Sequence, residues 1–99
     1  MAPTLKYRIV VSGCVQGVGY RWSMTQMAQG LGLRGWVRNR RDGTVEALVL
    51  GAPDAVNKLV QWAHHGPPAA AVQCVQVSEP DAPDEADRKL DRFTQQPTC

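Results

Sequence analysis

Tyr7-Arg8-Ile9-Val10-Val11-Ser12-Gly13-Cys14-Val15-Gln16-Gly17-Val18-Gly19-Tyr20-Arg21 is the stretch whose reading decides the fold. It begins as a strand, with Tyr7, Ile9 and Val11 on one face and Arg8 on the other. Gly13, Gly17 and Gly19 then form a loop able to take positive φ and to let a ligand approach the backbone. The pattern beyond Arg21 is helical. A strand, a glycine-rich loop and a helix N-terminus aim several N–H groups at one point, and the helix dipole favours negative charge there. Arg21 adds a planar donor fork suited to two phosphate oxygens. On these residues alone two readings stand: an anion cradle, or a glycine-rich connector followed by a surface arginine.

Working outward, Arg21 to Leu31 is predicted helical because Met24, Met27, Ala28 and Leu31 form one apolar stripe, with the methionines read as core packing. Gly32 is a natural C-terminal cap. Gly35-Trp36-Val37-Arg38-Asn39 reads as a second strand, and Arg41-Asp42-Gly43-Thr44 as a hairpin turn. Val45 to Leu50 is a third strand, with Val45, Ala47 and Val49 on one face and Glu46 marking a wet side on the other. Pro53 and Asp54 suit the first turn of a second helix, whose buried stripe is Val56, Leu59, Val60 and Ala63 and which Gly66-Pro67-Pro68 ends. Ala71 to Ser78 is a fourth strand. Its alternation slips between Val72 and the pair Val75 and Val77, so a bulge or ragged start is expected. Residues 79–87 read as a solvated acidic loop, and Lys89 to Gln95 as a last short strand anchored by Leu90 and Phe93. The order strand, helix, strand, strand, helix, strand specifies an α+β fold. It is the ferredoxin-like split βαβ sandwich (βαββαβ), an antiparallel sheet with two helices on one face. That fold hosts enzymes, RNA binders and regulatory modules, so it does not name the function.

The 99 residues make a single domain, 1–99, with its core between about residues 5 and 95. A hydrophobic fraction of 43% argues against disorder. No apolar run is long enough to span a membrane, and Met1 to Lys6 lack a signal peptide's apolar region. A soluble cytoplasmic monomer is the expectation. Cys14, Cys74 and Cys99 are an odd set at wide spacing, which is neither a disulfide framework nor a zinc pattern and suits reduced thiols in a cytosol. Cys74 is read as a small core residue. The net charge of +2 hides an asymmetry: seven bases face two acids through residue 50, and four bases face seven acids beyond it. A positive first half suits an anionic ligand.

Arg21 at the loop's end and Asn39 at the end of the second strand could converge, because the loop lies beside neighbouring strand ends in a split βαβ sheet. A neutral amide beside a bound phosphate can hold a water, by donating to it or accepting from it, but is no general base at neutral pH. Such a pair needs a good leaving group and a well-placed water. In sequence, Gly13-x-Val15-Gln16-Gly17-Val18-Gly19-Tyr20-Arg21, then Leu31-Gly32-Leu33-x-Gly35-Trp36-Val37-x-Asn39, then Asp42-Gly43-x-Val45-Glu46 closely resemble the acylphosphatases. The resemblance runs from Tyr7 to about Phe93 and includes Trp62 and Gly66-Pro67.

It implies hydrolysis of the carboxyl–phosphate bond of acyl phosphates to a carboxylate and inorganic phosphate. Carried over by motif, Arg21 is the phosphate-binding arginine and Asn39 positions the attacking water. The backbone amides of Val15, Gln16, Gly17, Val18, Gly19 and Tyr20 cradle the phosphate oxygens. The resemblance implies no metal, no cofactor and no covalent enzyme intermediate. It implies small-molecule partners, an acyl phosphate and inorganic phosphate; no nucleic acid and no membrane are expected as partners. The tail departs from the pattern: Gln95-Gln96-Pro97 stand where many relatives keep an arginine, which puts the packing of the last strand in question.

An acyl phosphate is a mixed anhydride whose leaving carboxylate is weakly basic, so little acid catalysis is required. Phosphoryl transfer asks mainly for position and charge stabilisation. The substrate's phosphate oxygens can take the water's proton, which explains a motif without a His or Glu base. Three rival readings differ at identifiable residues. A thiol phosphatase spaces its cysteine and arginine as C-x5-R; Cys14 and Arg21 are one residue further apart, and the loop holds no acid. An RNA-recognition domain stacks bases on aromatics of its first and third strands, and Val45 to Leu50 has none. An idle interaction module has no need of Arg21 and Asn39. His64 and His65 end the second helix, where histidine favours the dipole. Trp22, Trp36 and Trp62 are read as packing or boundary residues, and Arg40 and Arg41 either as bases that attract an acidic substrate tail or, the preferred reading, as a solvated basic turn.

Overall fold

The structure, a computed structural model of the chain, describes residues 4–80 and 90–98. The expectations for the acidic loop over residues 81–87, for Lys89 and for Cys99 lie outside the described residues. The elements are β1 (Leu5–Cys14), α1 (Tyr20–Gly30), β2 (Arg34–Asn39), β3 (Val45–Gly51), α2 (Pro53–Ala63), β4 (Ala71–Ser78) and β5 (Phe93–Gln95). Among the described residues, no helix is long and apolar enough to cross a membrane.

The strands form one sheet in the order β4-β1-β3-β2-β5. The first four are antiparallel neighbours, as the sequence predicts. β5 pairs parallel to β2, with Gly35 opposite Phe93, so the whole sheet is mixed. The chain leaves β4 at one edge and re-enters at the other, and it arrives there running in the direction of β2. α1 packs over β2 and β5, and α2 over β1 and β3. Between helices and sheet lie Ile9, Val11, Val37, Val45, Ala47, Val49, Met24, Ala28, Val56, Leu59 and Phe93, all buried. Phe93 settles the question the tail raised, because β5 forms and its phenyl ring is fully enclosed.

Three expectations change. α1 starts at Tyr20, and its buried residues are Tyr20, Met24, Thr25 and Ala28, so the core-facing stripe is centred one row away from Met27. Met24 is core, whereas Met27 is exposed. Cys74 is exposed as well. Gln73 is the extra residue of the expected bulge: Ser12 pairs with Cys74 and Gly13 with Val72, so Val72 and Val75 reach the core face while Cys74 points away. Glu46 is buried rather than wet. It sits between two cross-strand arginines on the sheet face away from the helices. Arg8 Nε donates to its Oε2 at 2.6 Å and Arg38 Nε to its Oε1 at 2.8 Å. Burial pushes the Glu46 carboxyl up, but the hydrogen bonds from Arg38 and Arg8 outweigh it and hold the group below its ordinary value. Arg38 also lies over the Trp36 ring, 4.5 Å from its centroid.

Candidate active site

The loop between β1 and α1 closes around a cavity of about 110 Å³, lined by Val15, Gly17, Gly19, Tyr20, Arg21, Trp22, Asn39 and Gln95. Its shape depends on backbone that only glycine takes without strain: Gly17 has φ 74° and Gly19, the N-cap of α1, has φ 80°. The first helical bond runs from Ser23 N–H to the Gly19 carbonyl at 3.0 Å, so the N–H groups of Tyr20, Arg21 and Trp22 have no acceptor within the helix. Among the described residues, no side chain caps this end, and no acidic residue occupies the first turn. The positive end of the helix dipole therefore meets the cavity uncompensated. Among the described residues, no backbone N–H from Val15 to Gly19 donates to a backbone carbonyl.

The two predicted side chains meet here. Arg21 follows directly on the first residue of α1, and Asn39 is the last residue of β2; both line the cavity. Asn39 Oδ1 is buried and has no hydrogen-bond partner among the described residues, an arrangement costly enough to be rare unless a ligand or water completes it. Of the predicted loop amides, those of Val15, Gly17, Gly19 and Tyr20 belong to lining residues, whereas Gln16 and Val18 do not line the cavity.

Gln16 has a different part. Its side-chain Nε2 donates to the Arg40 carbonyl at 2.7 Å and to the Thr44 carbonyl at 2.9 Å. The loop is thereby pinned to the hairpin that begins one residue after Asn39. The hairpin is itself ordered by Asp42, whose Oδ1 accepts from the Thr44 N–H at 2.9 Å and the Thr44 hydroxyl at 2.6 Å. Those bonds, the hydroxyl's first, hold the Asp42 carboxyl below its ordinary value. Tyr20 anchors the other end of the loop. Its ring is buried against Trp62, with centroids 5.3 Å apart, and its hydroxyl donates to the Ala63 carbonyl at 2.7 Å. Burial pushes that hydroxyl well above the ordinary phenol range.

The basic excess of the first half is mostly not at the cavity. Arg8 and Arg38 are bound to Glu46, Arg34 Nη1 donates to the Leu90 carbonyl at 3.1 Å, and Arg40 faces Asp42 at 3.9 Å. Among the described residues, Arg21 is the one arginine that lines the cavity, and no carboxylate pairs with it. Cys14 is exposed at the end of β1 opposite Ala71, and is absent from the cavity wall despite its place in the loop sequence. Two lining residues were not singled out by sequence, Gln95 and the cavity-facing role of Trp22. Gln95 reaches the site only because β5 pairs beside β2, with Gln95 opposite Val37. Among the described residues, no cluster of His, Cys, Asp and Glu could hold a metal ion.

A split βαβ sandwich whose first loop and second strand close an anion-sized cavity around one unpaired arginine and one unpartnered amide is an arrangement for handling a phosphoryl group. Comparison with known proteins makes this specific. The acylphosphatase family profile matches residues 7–94. The chain is 55% identical over 83 residues to the acylphosphatase of Acidovorax sp. strain JS42, covering 84% of this chain and 86% of that protein. It is 50% identical over 97 residues to the acylphosphatase of Azoarcus sp. strain BH72, covering 97% and 94%. The crystal structure of the acylphosphatase from Bacillus subtilis superposes with a TM-score of 0.85 at 35% identity, over 95% of this chain and 99% of that one. The chain belongs to the acylphosphatase family, whose members are hydrolases acting on acid anhydrides.

Proposed function

We propose that the chain hydrolyses the carboxyl–phosphate bond of acyl phosphates with Arg21 and the loop amides as the phosphate site and Asn39 as the water site. The observation that carries the residue roles is the buried, unpartnered Asn39 Oδ1 beside an unpaired Arg21 in one cavity. The phosphoryl oxygens take the Arg21 fork and the free N–H groups of the loop and the first turn of α1. Asn39 Oδ1 accepts a hydrogen bond from a water, turning its lone pair toward phosphorus. Attack forms the new P–O bond as the bond from phosphorus to the acyl oxygen breaks. The acyl group leaves as a carboxylate, and the water's proton passes to a phosphate oxygen. Charge stabilisation and placement supply the acceleration, and no side chain needs to change its protonation state.

The same reading makes the protein a cytoplasmic monomer of one domain that handles small molecules rather than nucleic acid. Free, exposed Cys14 and Cys74 support a reducing compartment. The pairing of Arg8 and Arg38 with Glu46 supports the exclusion of nucleic acid, since it withdraws two bases from the open sheet face.

The test is hydrolysis of benzoyl phosphate in the presence of chelator. Arg21→Ala is expected to lose both phosphate affinity and turnover, and Arg21→Lys to recover little, because a point charge lacks the fork. Asn39→Ala is expected to cost roughly 10²-fold or more in kcat while inorganic phosphate still binds as a competitive inhibitor. Near-normal turnover in either Arg21 variant, or loss of phosphate binding in Asn39→Ala, contradicts the assigned roles.

A further inference from the structure

Beside the phosphate cavity, the outer face of α1 carries a groove of about 540 Å³ lined by Trp22, Ser23, Gln26, Met27, Gly30 and Leu31. Trp22 belongs to both the cavity and the groove. The lining residues form two adjacent helical rows, Trp22-Gln26-Gly30 and Ser23-Met27-Leu31, with Gly30 leaving a gap at the far end. From Trp22 to Leu31 the groove follows the helix for about 14 Å. None of these residues is charged. Trp22 is 61% exposed and Met27 37%, so these two side chains are presented to water, while Leu31 at the far end packs against the core.

We propose that this groove is the acyl subsite, and that the enzyme's preferred substrates are acyl phosphates of uncharged fatty or aromatic acids rather than of short or dicarboxylic acids. This rests on the acyl phosphatase reading above. The occupant follows from connectivity. The acyl group is covalently joined to a phosphoryl group held in the cavity, so it must lie across the rim of that cavity. Trp22 is the rim residue that continues into an apolar surface. An indole in this position covers one face of an acyl chain or ring, and the thioether of Met27 one turn further on adapts to its shape. A carboxylate at the far end of the acyl group finds no basic residue among the described residues that line the groove, which sets the preference against charged acids.

The experiment compares kcat/KM for acetyl, butanoyl, hexanoyl, octanoyl and succinyl phosphates. In an open groove each added methylene is expected to gain about twofold, half the factor for full burial, so hexanoyl phosphate should exceed acetyl phosphate by roughly tenfold or more. Trp22→Ala should reduce that ratio to below roughly threefold, since the indole covers the first methylenes. Met27→Gln should leave the rise to butanoyl and flatten it beyond hexanoyl, because Met27 lies further along the helix. Both side chains are exposed, and thermal unfolding of each variant checks that the ratios come from folded protein. Equal kcat/KM for acetyl and hexanoyl phosphates, a preference for succinyl phosphate, or a Trp22→Ala variant that keeps the wild-type ratio overturns the subsite while leaving the hydrolytic assignment intact. Absence of turnover with every acyl phosphate overturns both.

Discussion

Replacing Gln16 by alanine separates holding the phosphate loop from forming it. Gln16 joins two segments 24 and 28 residues apart in sequence through two neutral hydrogen bonds, to the carbonyls of Arg40 and Thr44. Each such bond is worth about 0.5–1.5 kcal/mol net. The site is half-buried, so water partly replaces the lost donor, and the expected destabilisation is about 1–2 kcal/mol. For a domain of this size that lowers Tm by roughly 5–12 °C. The effect on turnover should be larger than the effect on folding. The bonds fix the loop to the hairpin that starts beside Asn39, and a displacement of about 1 Å between the proposed phosphate and water sites can cost on the order of 10²-fold. We therefore expect kcat for benzoyl phosphate to fall between roughly 10- and 100-fold in fully folded Gln16→Ala. Inorganic phosphate should bind within a few-fold of wild type, because the loop amides remain. The assays are thermal unfolding, steady-state kinetics and phosphate inhibition on one preparation. A variant with wild-type kcat and lowered Tm would show that the clamp stabilises the chain without setting the site. One with weakened phosphate binding in proportion to kcat would show that Gln16 shapes the loop rather than its position.

Three other substitutions address separate features. Glu46→Gln leaves two guanidinium groups facing a neutral amide, and should cost about 1–3 kcal/mol at neutral pH, below the figure for fully enclosed pairs because both arginines keep contact with water. Since the folded-state carboxyl lies below its ordinary 4.5, the wild type should lose this contribution as pH falls below that value. Urea unfolding across pH 3–7 should show a flatter acid limb for the variant. Tyr20→Phe removes the donor to the Ala63 carbonyl, and should cost about 1–2 kcal/mol. Because burial raises the Tyr20 hydroxyl above its ordinary 10.0, the wild type should lose stability as pH rises past that value, and Tyr20→Phe should remove most of the slope; parallel alkaline limbs would contradict this. Cys14→Ala should keep kcat within about threefold of wild type, since its thiol lies outside the cavity wall; loss of most turnover would return the thiol mechanism to consideration.

Much of this was legible in the chain because the decisive residues are close in sequence or sit at element ends. The strand-loop-helix stretch fixes the loop, and the hairpin at Asp42-Gly43 puts Asn39 at the end of its strand. What the sequence hid depends on pairing between distant segments. Glu46 reads as a wet residue until the neighbours of β3 are known; Arg8 and Arg38 then enclose it from both sides. Cys74 reads as core until the extra residue at Gln73 turns it outward. Met27 satisfies a helical stripe, but the face of α1 that packs on the sheet is centred on Tyr20, Met24, Thr25 and Ala28, and Met27 lies at its margin. Gln16 is one of six loop residues whose backbone invites attention, and nothing local marks its side chain as the clamp. Gln95 enters the cavity through a strand whose partner, β2, lies far back in the chain.

The Tyr20–Ala63 hydrogen bond spans 43 residues, and the Gln16 bonds span 24 and 28. The proposed site is fastened by contacts of such range that each fastening requires loop closure across a quarter or more of the sequence, so it should form late in folding. Activity should therefore return during refolding with the latest tertiary signal rather than with helix formation, in the millisecond-to-second range of chains dominated by non-local strand pairing. Enzymatic turnover is then a direct reporter of the completed native state, and a variant destabilised at a position remote from the loop, the hairpin and Asn39 should show normal kinetics per folded molecule until the chain unfolds.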